Sequence, residues 1–276
     1  MGVRSWREYR DGVFGQLHVR RAEPETSTSP QRTPVLCLHM TPYSGRVFAE
    51  LLDELGEDRE ALAPDTPGYG ASDSPPRPPS IADYAMAMLN LVEETGLGPV
   101  DAVGYHTGSS TAVEMAVQRP DLVRRLVLIS LAAFPPEVLD ERRAIFGASR
   151  AQEVDETGAY LQRRWDSYRM NSMPDYTAVM RALRFPDALL RPDISWWGHA
   201  AVYDHPVLER LASVRAPVLL LNPEDDLAHV TVRARGILNG VSVYRELPGW
   251  QHGLLQVRAA ELAGILREFL DRPEEA

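Results

Sequence analysis

A chain of 276 residues with 44% hydrophobic and 25% charged residues has the length and composition of one large globular domain. Its net charge of −10 and its pI near 5.2 argue against a nucleic-acid partner, so a small neutral or apolar molecule is the expected partner. No apolar run approaches the ~18 residues of a membrane-spanning helix, and no membrane partner is expected.

The N-terminal region and the cysteine content bear on the compartment. The first residues contain no apolar stretch of the kind that a secretory signal needs. Cys37 is the only cysteine, so an intrachain disulfide is excluded, and its apolar neighbours predict that it is buried. A cytoplasmic location is therefore expected.

The first half of the chain alternates strand-like and helix-like patterns. Residues 12–20 alternate apolar and polar side chains, which is typical of a hairpin or an edge strand. Short apolar runs typical of buried parallel strands follow at 35–38, 61–63, 100–103, 126–129, 218–221 and 241–247. Helical patterns lie between the early runs, at 48–55, 81–95 and 109–118. The order predicts an α/β fold with a mostly parallel, doubly wound sheet.

The alternation stops after residue 129 for roughly 85 residues, which is too long for an unstructured loop within a compact domain. This interval contains helical patterns at 137–150, 153–168 and 176–183. We therefore predict a helical cap, or lid, at 134–204, inserted into a core formed by 1–133 and 205–276. Residues 207–215 then lead back into the sheet, and an amphipathic helix is predicted at the end of the core, at 259–270.

One strand-to-helix turn carries a distinctive motif, Gly104-Tyr105-His106-Thr107-Gly108. Such a sharp turn needs small residues two positions before and after its centre, and the two glycines meet that need. The central side chain then projects above the sheet at a helix N-terminus. With its strand before and helix after, the motif resembles the nucleophile elbow of the α/β-hydrolase fold family, with His106 in place of the usual serine.

The resemblance extends over nearly the whole chain and implies roles for further residues. The segment that ends in Asp225 and Asp226 resembles the family segment that supplies the catalytic acid. Its register favours Asp226, with Asp225 as the alternative. His252, in the loop before the final helix, matches the general base, so the predicted catalytic residues are His106, Asp226 and His252. The resemblance also implies an oxyanion hole formed by the backbone N–H groups of Thr41 and Thr107.

A histidine at the elbow leaves three mechanisms open. His106 could attack a carbonyl as an imidazole nucleophile, act with His252 as an acid–base pair, or be catalytically inert in a ligand-binding protein. The presence of both catalytic partners favours an enzyme. A hydrolase of an ester, lactone or carbon–carbon bond is the first hypothesis, and a cofactor-free lyase, isomerase, epimerase or cyclase is the alternative. The helix N-terminus is expected to keep His106 neutral.

Substrate-binding residues are expected from position and from the aromatic content of the cap. Serines 109 and 110 follow the elbow, but helix geometry should carry both away from the oxyanion hole. No cofactor is implied, and no metal is expected because the spacing of His106, His252 and Asp226 matches no known metal motif. His199 could lie either in the pocket or at the surface. The predicted pocket residues are Tyr43, Tyr105, Trp165, Trp196 and Trp197.

Overall fold

A computed structural model describes residues 2–26, 32–149 and 154–273. Its strands form one eight-stranded sheet in the order β1-β2-β4-β3-β5-β6-β7-β8. β1 pairs with β2 and β2 with β4 in antiparallel fashion, and the remaining pairs are parallel. The strands are β1 (Val3–Gly12), β2 (Gly15–Pro24), β3 (Val35–Leu38), β4 (Ala61–Pro64), β5 (Val100–Tyr105), β6 (Val123–Ile129), β7 (Val218–Pro223) and β8 (Val243–Leu247).

Helices lie on both faces of this sheet and in the segment between β6 and β7. They are α1 (Ala49–Leu55), α2 (Ile81–Thr95), α3 (Thr107–Gln118), α4 (Pro136–Ser149), α5 (Ala159–Arg169), α6 (Ala178–Arg184), α7 (Trp197–Tyr203), α8 (Val207–Ala212), α9 (Ala228–Thr231), α10 (Leu254–Val257) and α11 (Ala259–Leu270). Short 3-10 helices occupy Gly45–Phe48, Phe185–Leu189 and Val232–Ile237. The predicted α/β fold with a mostly parallel sheet is confirmed.

The central strands bury both faces because alternate side chains point to opposite sides of a strand. On β5, Ala102 belongs to the core cluster that contains α2 and α3, whereas Val103 belongs to the cluster that contains α1 and α11. Cys37 is buried on the second face, as its apolar neighbours predicted. Each fully buried aliphatic side chain of this kind contributes about 1.5–3 kcal/mol to the free energy of unfolding.

The N-terminal hairpin differs from its prediction in extent. The sequence pattern predicted a hairpin or an edge strand within 12–20, whereas the hairpin of the structure spans β1 and β2, with a two-residue turn at Val13 and Phe14 between them. Gly15 begins β2 with φ of 108°, a conformation that glycine adopts without strain. β1 escaped prediction because its residues are mostly charged or aromatic rather than alternately apolar, and it forms the edge of the sheet.

The segment between β6 and β7 holds α4 to α7, close to where helices were predicted. The pattern at 153–168 overestimated its helix, because α5 begins at Ala159 after Gly158 adopts the left-handed conformation. Residues 150 and 153, the predicted end of one helix and start of the next, lie outside the described residues. The division into a core and a cap at 134–204 stays a prediction. Across the described ranges, no helix is long and apolar enough to cross a membrane.

Candidate active site

The glycine-flanked turn between β5 and α3 places His106 at the carboxyl end of the central strands. His106 has φ of 52° and ψ of −113°, outside the regions that non-glycine residues favour. A Cβ at position 104 would lie 2.4 Å from the carbonyl oxygen of Gly108, and one at position 108 would lie 1.9 Å from the carbonyl oxygen of Leu38. Both positions therefore require glycine, as the motif indicated.

The ring of His106 is held by a buried carboxylate. Its Nε2 lies 3.0 Å from Oδ2 of Asp225, in the loop after β7. The same carboxylate accepts a hydrogen bond from Ser130 Oγ at 2.5 Å and one from the backbone N–H of Leu227 at 2.9 Å. The Asp225 side chain is fully inaccessible to solvent, whereas that of His106 remains 12% exposed. His106 is thus oriented by an acid that is itself fixed on both oxygens.

The electrostatics of this pair favour a charged carboxylate and a basic imidazole. Burial alone would lower the pKa of His106, but the charge and hydrogen bond of Asp225, with the charge of Asp226, raise it above its usual value. Burial would raise the pKa of Asp225, yet the attraction of His106 lowers it. The direction of this shift is opposite to the one expected from the helix N-terminus, because the two carboxylates favour the cationic ring.

A second histidine–aspartate pair lies beside the first. His252 Nε2 lies 2.8 Å from Oδ1 of Asp226, and His252 Nδ1 lies 3.0 Å from the Tyr105 hydroxyl. Burial would raise the pKa of Asp226, but His252 and His106 bring it well below the usual range. An ionised Asp226 accepts the Nε2 proton of His252, and in the neutral ring the Tyr105 hydroxyl donates to Nδ1. Burial and the nearby carboxylates raise the pKa of Tyr105, which keeps that hydroxyl protonated.

The loop that carries His252 is tied to the segment between β6 and β7. The N–H of His252 donates to the carbonyl of Asn171 at 2.8 Å, and the N–H of Met173 donates to the carbonyl of His252 at 2.9 Å. Gly253 follows with φ of 93°, and a Cβ there would lie 2.5 Å from the ring of Tyr176. These contacts fix the position of the His252 backbone.

The structure brings together the three predicted catalytic residues and adds Asp225. The ring centroids of His106 and His252 are 5.2 Å apart. Asp226, favoured by the register, bonds to His252, while the alternative Asp225 bonds to His106. The sequence offered the two acids as alternatives and missed that each can hold its own histidine. Their adjacency directly after a strand was the one signal that could have suggested two pairs.

The residues predicted to form an oxyanion hole flank His106. Thr41 is buried and lines the adjacent cavity, and Thr107 is buried at the first turn of α3. The first N–H groups of a helix have no partner within that helix, so the N–H of Thr107 can bind an oxyanion. The loop before Thr41 is held by His39, whose Nε2 accepts from the N–H of Thr66 at 2.8 Å and whose Nδ1 donates to Met40 O at 2.9 Å. The role of both threonines stays a prediction.

A cavity of about 280 Å³ opens beside the two histidines. Its size suits a small ligand, since drug-sized ligands occupy pockets of roughly 300–1,000 Å³. The predicted residues Tyr43 and Tyr105 line this cavity, and so does His199, whose position the sequence left open. Other lining side chains come from the loops after β3 and β7, from the segment between β6 and β7 and from the His252 loop with α10; they include Met40, Thr41, Arg164, Ser167, Tyr168, Asn171, Tyr176, Phe185, Asp226 and Gln256.

The three tryptophans assigned to the pocket from the sequence lie outside its lining. Trp165 packs edge-on against Phe185, with ring centroids 5.1 Å apart, and so supports the wall from behind. Trp196 donates its indole N–H to the carbonyl of Asp193 at 3.1 Å. Trp197 is buried, with its ring edge-on to that of Trp196. Tyrosines and Phe185 provide the aromatic wall instead.

The serines that follow the elbow are engaged elsewhere. Ser109 is fully buried, and its Oγ lies 2.8 Å from the carbonyl oxygen of Gly104 and 2.9 Å from that of Ile129. Ser110 is also fully buried and does not line the cavity. Neither hydroxyl is placed to attack a bound substrate, in agreement with the expectation from helix geometry.

The two pairs also form a set that could hold a metal ion. His106, Asp225, Asp226 and His252 each offer one donor atom, and these atoms all lie within 4.8 Å of one another. Two imidazole nitrogens and two carboxylates suit a divalent transition metal. However, Nε2 of each histidine already lies within hydrogen-bond distance of a carboxylate oxygen, so an ion would have to displace both hydrogen bonds.

Comparisons with known proteins agree with this fold. A family model described as alpha/beta hydrolase fold matches residues 33–229. The 2-(acetamidomethylene)succinate hydrolase of Mesorhizobium japonicum is 29% identical over 158 residues, which are 54% of this chain and 57% of that protein. Lipase LipV of Mycobacterium tuberculosis is 37% identical over 116 residues, 42% of each chain. The chain therefore spans about half the length of these relatives.

A solved structure gives a match over nearly the full length. The enol-lactonase of Burkholderia xenovorans superposes with a TM-score of 0.80 over 96% of this chain and 100% of that one. The two sequences are 18% identical, so the similarity establishes the fold alone.

Proposed function

The chain belongs to the α/β-hydrolase fold family, and on that basis we propose that it is a hydrolase of a small carbonyl compound, such as an ester, a lactone or a carbon–carbon-linked diketone. The observation that carries the proposal is the hydrogen bond of 3.0 Å between His106 and the buried Asp225. It reproduces, at the elbow itself, the acid–imidazole pair that normally acts on a serine. His106 would be the general base.

The tautomer defines which nitrogen acts. Because Asp225 is ionised, Nε2 of His106 carries the proton that it donates, and Nδ1 keeps a lone pair. Nδ1 would remove a proton from water as the water oxygen attacks the substrate carbonyl. The N–H groups of Thr41 and Thr107 would stabilise the oxyanion by several kcal/mol. Collapse breaks the bond to the leaving group, which takes the proton back from His106; one water is consumed per bond cleaved.

A covalent version uses the same atoms. Nδ1 of His106 would attack the carbonyl directly, and the leaving group would depart with a proton from the medium. Water would then hydrolyse the acyl-imidazole and regenerate the free histidine. Intact-mass spectrometry of the protein during turnover distinguishes the versions, because only the covalent route adds the acyl mass to the peptide that contains His106.

The relatives support hydrolysis as the reaction class. Two proteins of similar sequence are named as a hydrolase and a lipase. A small molecule as substrate and a location in the cytoplasm belong to the same proposal.

The second histidine pair supports one other function. Tyr105, His252 and Asp226 form a hydrogen-bonded chain, and the rings of His252 and His106 face one cavity 5.2 Å apart. Two acid–base groups in this arrangement could remove a proton on one side of a substrate and return it on the other. A lyase, isomerase or cyclase that stabilises an enolate is therefore the second candidate.

Turnover of a panel of 4-nitrophenyl esters and lactones tests hydrolysis. We expect activity in the native protein and a loss of about 10²- to 10⁴-fold in His106→Ala, the range for a general base. His229→Ala, which removes an exposed histidine outside the cavity, should retain full activity. A fluorophosphonate probe should leave the protein unlabelled, and stoichiometric labelling of a serine would contradict the assignment. Deuterium exchange at the α-carbon of ketones, without any hydrolysis, would favour the second candidate.

A further inference from the structure

One wall of the cavity carries a cation with no acidic partner. Arg164 lies on α5 and lines the cavity. Its neighbours on the same helix, Arg163 and Arg169, each pair with an aspartate. Across the described ranges, no carboxylate lies within 4 Å of the Arg164 guanidinium, and its buried Nε makes no hydrogen bond. The helix thus places its one unpaired arginine at the cavity.

Helical spacing explains which α5 side chains reach the cavity. Ser167 and Tyr168 stand three and four positions after Arg164, and all three therefore share one face of the helix. All three line the cavity, whereas Trp165 lies on a neighbouring face and does not. Asn171, just beyond the helix, adds an amide to the same wall. This wall offers a guanidinium, a hydroxyl and an amide, a set of donors that suits a carboxylate.

The charge of Arg164 acts on the interior of the cavity. Burial lowers the pKa of His199 to about 4, and the positive charge of Arg164 contributes to this fall. Burial raises the pKa of Tyr43, and the same charge opposes that rise. Because His199 is neutral at pH 7, Arg164 supplies the positive potential at this wall.

The negative charge of the cavity lies beside the histidines. Asp226 supplies the one carboxylate among the lining residues of the described chain, and it is paired with His252. A ligand with a carboxylate at one end would be attracted to Arg164 and repelled from Asp226. Its uncharged end would then lie against His106. The distribution of charge would therefore orient a bifunctional ligand with its reactive carbonyl at the histidines.

We propose that the substrate carries a carboxylate in addition to the carbonyl that reacts, and that Arg164 binds this carboxylate. The inference rests on the proposed hydrolase function for the second carbonyl, but the carboxylate site itself does not depend on catalysis. This anionic substrate differs from the neutral substrate expected from the net charge of the protein. The net charge is a sum over the whole chain, whereas Arg164 acts locally in the cavity. The fork of guanidinium donors fits a carboxylate in two parallel hydrogen bonds.

Calorimetric titration tests the site without any reaction. The probes are glutarate, with two carboxylates, and glutaramide, its uncharged analogue of the same length. We expect the native protein to prefer glutarate, and Arg164→Gln to reduce that preference by roughly 10- to 100-fold, as expected for a charge-assisted hydrogen bond. Arg163→Gln, next along the helix and paired with Asp155, is the matched control and should keep the native preference. Arg164→Lys should recover part of it.

Kinetics with paired esters link the site to the reaction. Mono-4-nitrophenyl glutarate carries a carboxylate, and 4-nitrophenyl valerate is its neutral counterpart of equal length. We expect the ratio of their kcat/KM values to fall about 10-fold or more in Arg164→Gln, through KM of the anionic ester, and to stay at the native value in Arg163→Gln. Thermal unfolding of each variant shows that it is folded.

The outcomes separate this inference from the proposed function. If glutarate does not bind the native protein in preference to glutaramide, or if Arg164→Gln and Arg163→Gln bind it equally, the carboxylate site is refuted. If Arg164 controls glutarate binding but no ester or lactone is hydrolysed, the site stands and the hydrolase function fails. If esters are hydrolysed through His106 with no preference for the anionic ester, the function stands and this inference fails.

Discussion

Replacement of Asp225 by asparagine tests the pairing at the centre of the site. The carboxylate accepts hydrogen bonds from His106, Ser130 and Leu227, with the first two on the same oxygen, Oδ2. An asparagine can accept from Leu227 through its carbonyl, but its NH₂ group cannot accept from the other two. At least one buried donor is then left without an acceptor, which destabilises the protein by about 1–3 kcal/mol.

The pH dependence of this variant follows from the direction of the pKa shift. Asp225 helps to raise the pKa of His106 above the usual 6.5 in the folded protein. A raised pKa stabilises the folded state fully below the unfolded value, and this contribution disappears as the pH rises through the folded pKa. Asp225→Asn should therefore lose more stability at pH 5.5 than at pH 9. Guanidinium denaturation at both pH values measures the difference.

The pH dependence of activity in Asp225→Asn should follow the same change in the pKa of His106. The base acts when His106 is neutral, so native kcat/KM rises with pH through the pKa of His106. In Asp225→Asn that inflection should move to lower pH, and the maximal rate should fall about 10²- to 10⁴-fold because the ring loses its orienting acceptor. Glu224→Gln, an exposed neighbour, is the matched control and should keep the native profile. Near-native activity with an unshifted inflection in Asp225→Asn would refute the assignment of this dyad as the base.

Three further predictions concern the cluster, the tyrosine and the elbow. Zinc should inhibit in the micromolar range by displacing the two histidine–aspartate hydrogen bonds, and EDTA should restore activity; loss of activity in EDTA alone would instead indicate a metalloenzyme. Tyr105→Phe removes the hydroxyl that bonds to His252 and should lower kcat about 10-fold or more. It should also lower the free energy of unfolding by about 1 kcal/mol. An unchanged kcat would exclude the hydroxyl from the reaction. Gly108→Ala should lower the free energy of unfolding by about 3 kcal/mol or more because its Cβ would overlap Leu38. The control Gly264→Ala has open space around it in α11 and should raise the free energy of unfolding by up to about 1 kcal/mol. Equal effects of the two substitutions would contradict the close packing at the elbow.

The sequence predicts features whose cause is local. The glycine at 104 is required by an overlap with Gly108 inside the same turn, so a five-residue motif predicts the elbow, although the overlap that requires the glycine at 108 involves Leu38 on β3. The parallel sheet follows similarly, because apolar runs and helical periodicity are properties of short segments. The strand β1 escaped because an edge strand carries few apolar residues.

Side-chain partnerships across the fold are not encoded locally. Whether Asp225 or Asp226 meets a given histidine depends on how one loop after β7 directs two consecutive side chains, and the partners are 119 and 26 residues away in the chain. The cap residues show the same limit. Trp165 was predicted to line the pocket because of its aromatic ring. Adjacent positions on a helix point about 100° apart, and the helix face that lines the cavity is the one with Arg164.

The histidine at the elbow explains why the site uses two consecutive acids, one for each histidine. A serine at position 106 is too short to reach the buried carboxylate of Asp225, which would leave that acid available to the histidine of the last loop. An imidazole does reach it, and occupies one of its oxygens together with Ser130. His252 then needs another acceptor, and Asp226 provides it at 2.8 Å. The second acid therefore keeps the second histidine oriented, which explains how the chain can carry histidine at this position with both imidazoles still directed into the cavity.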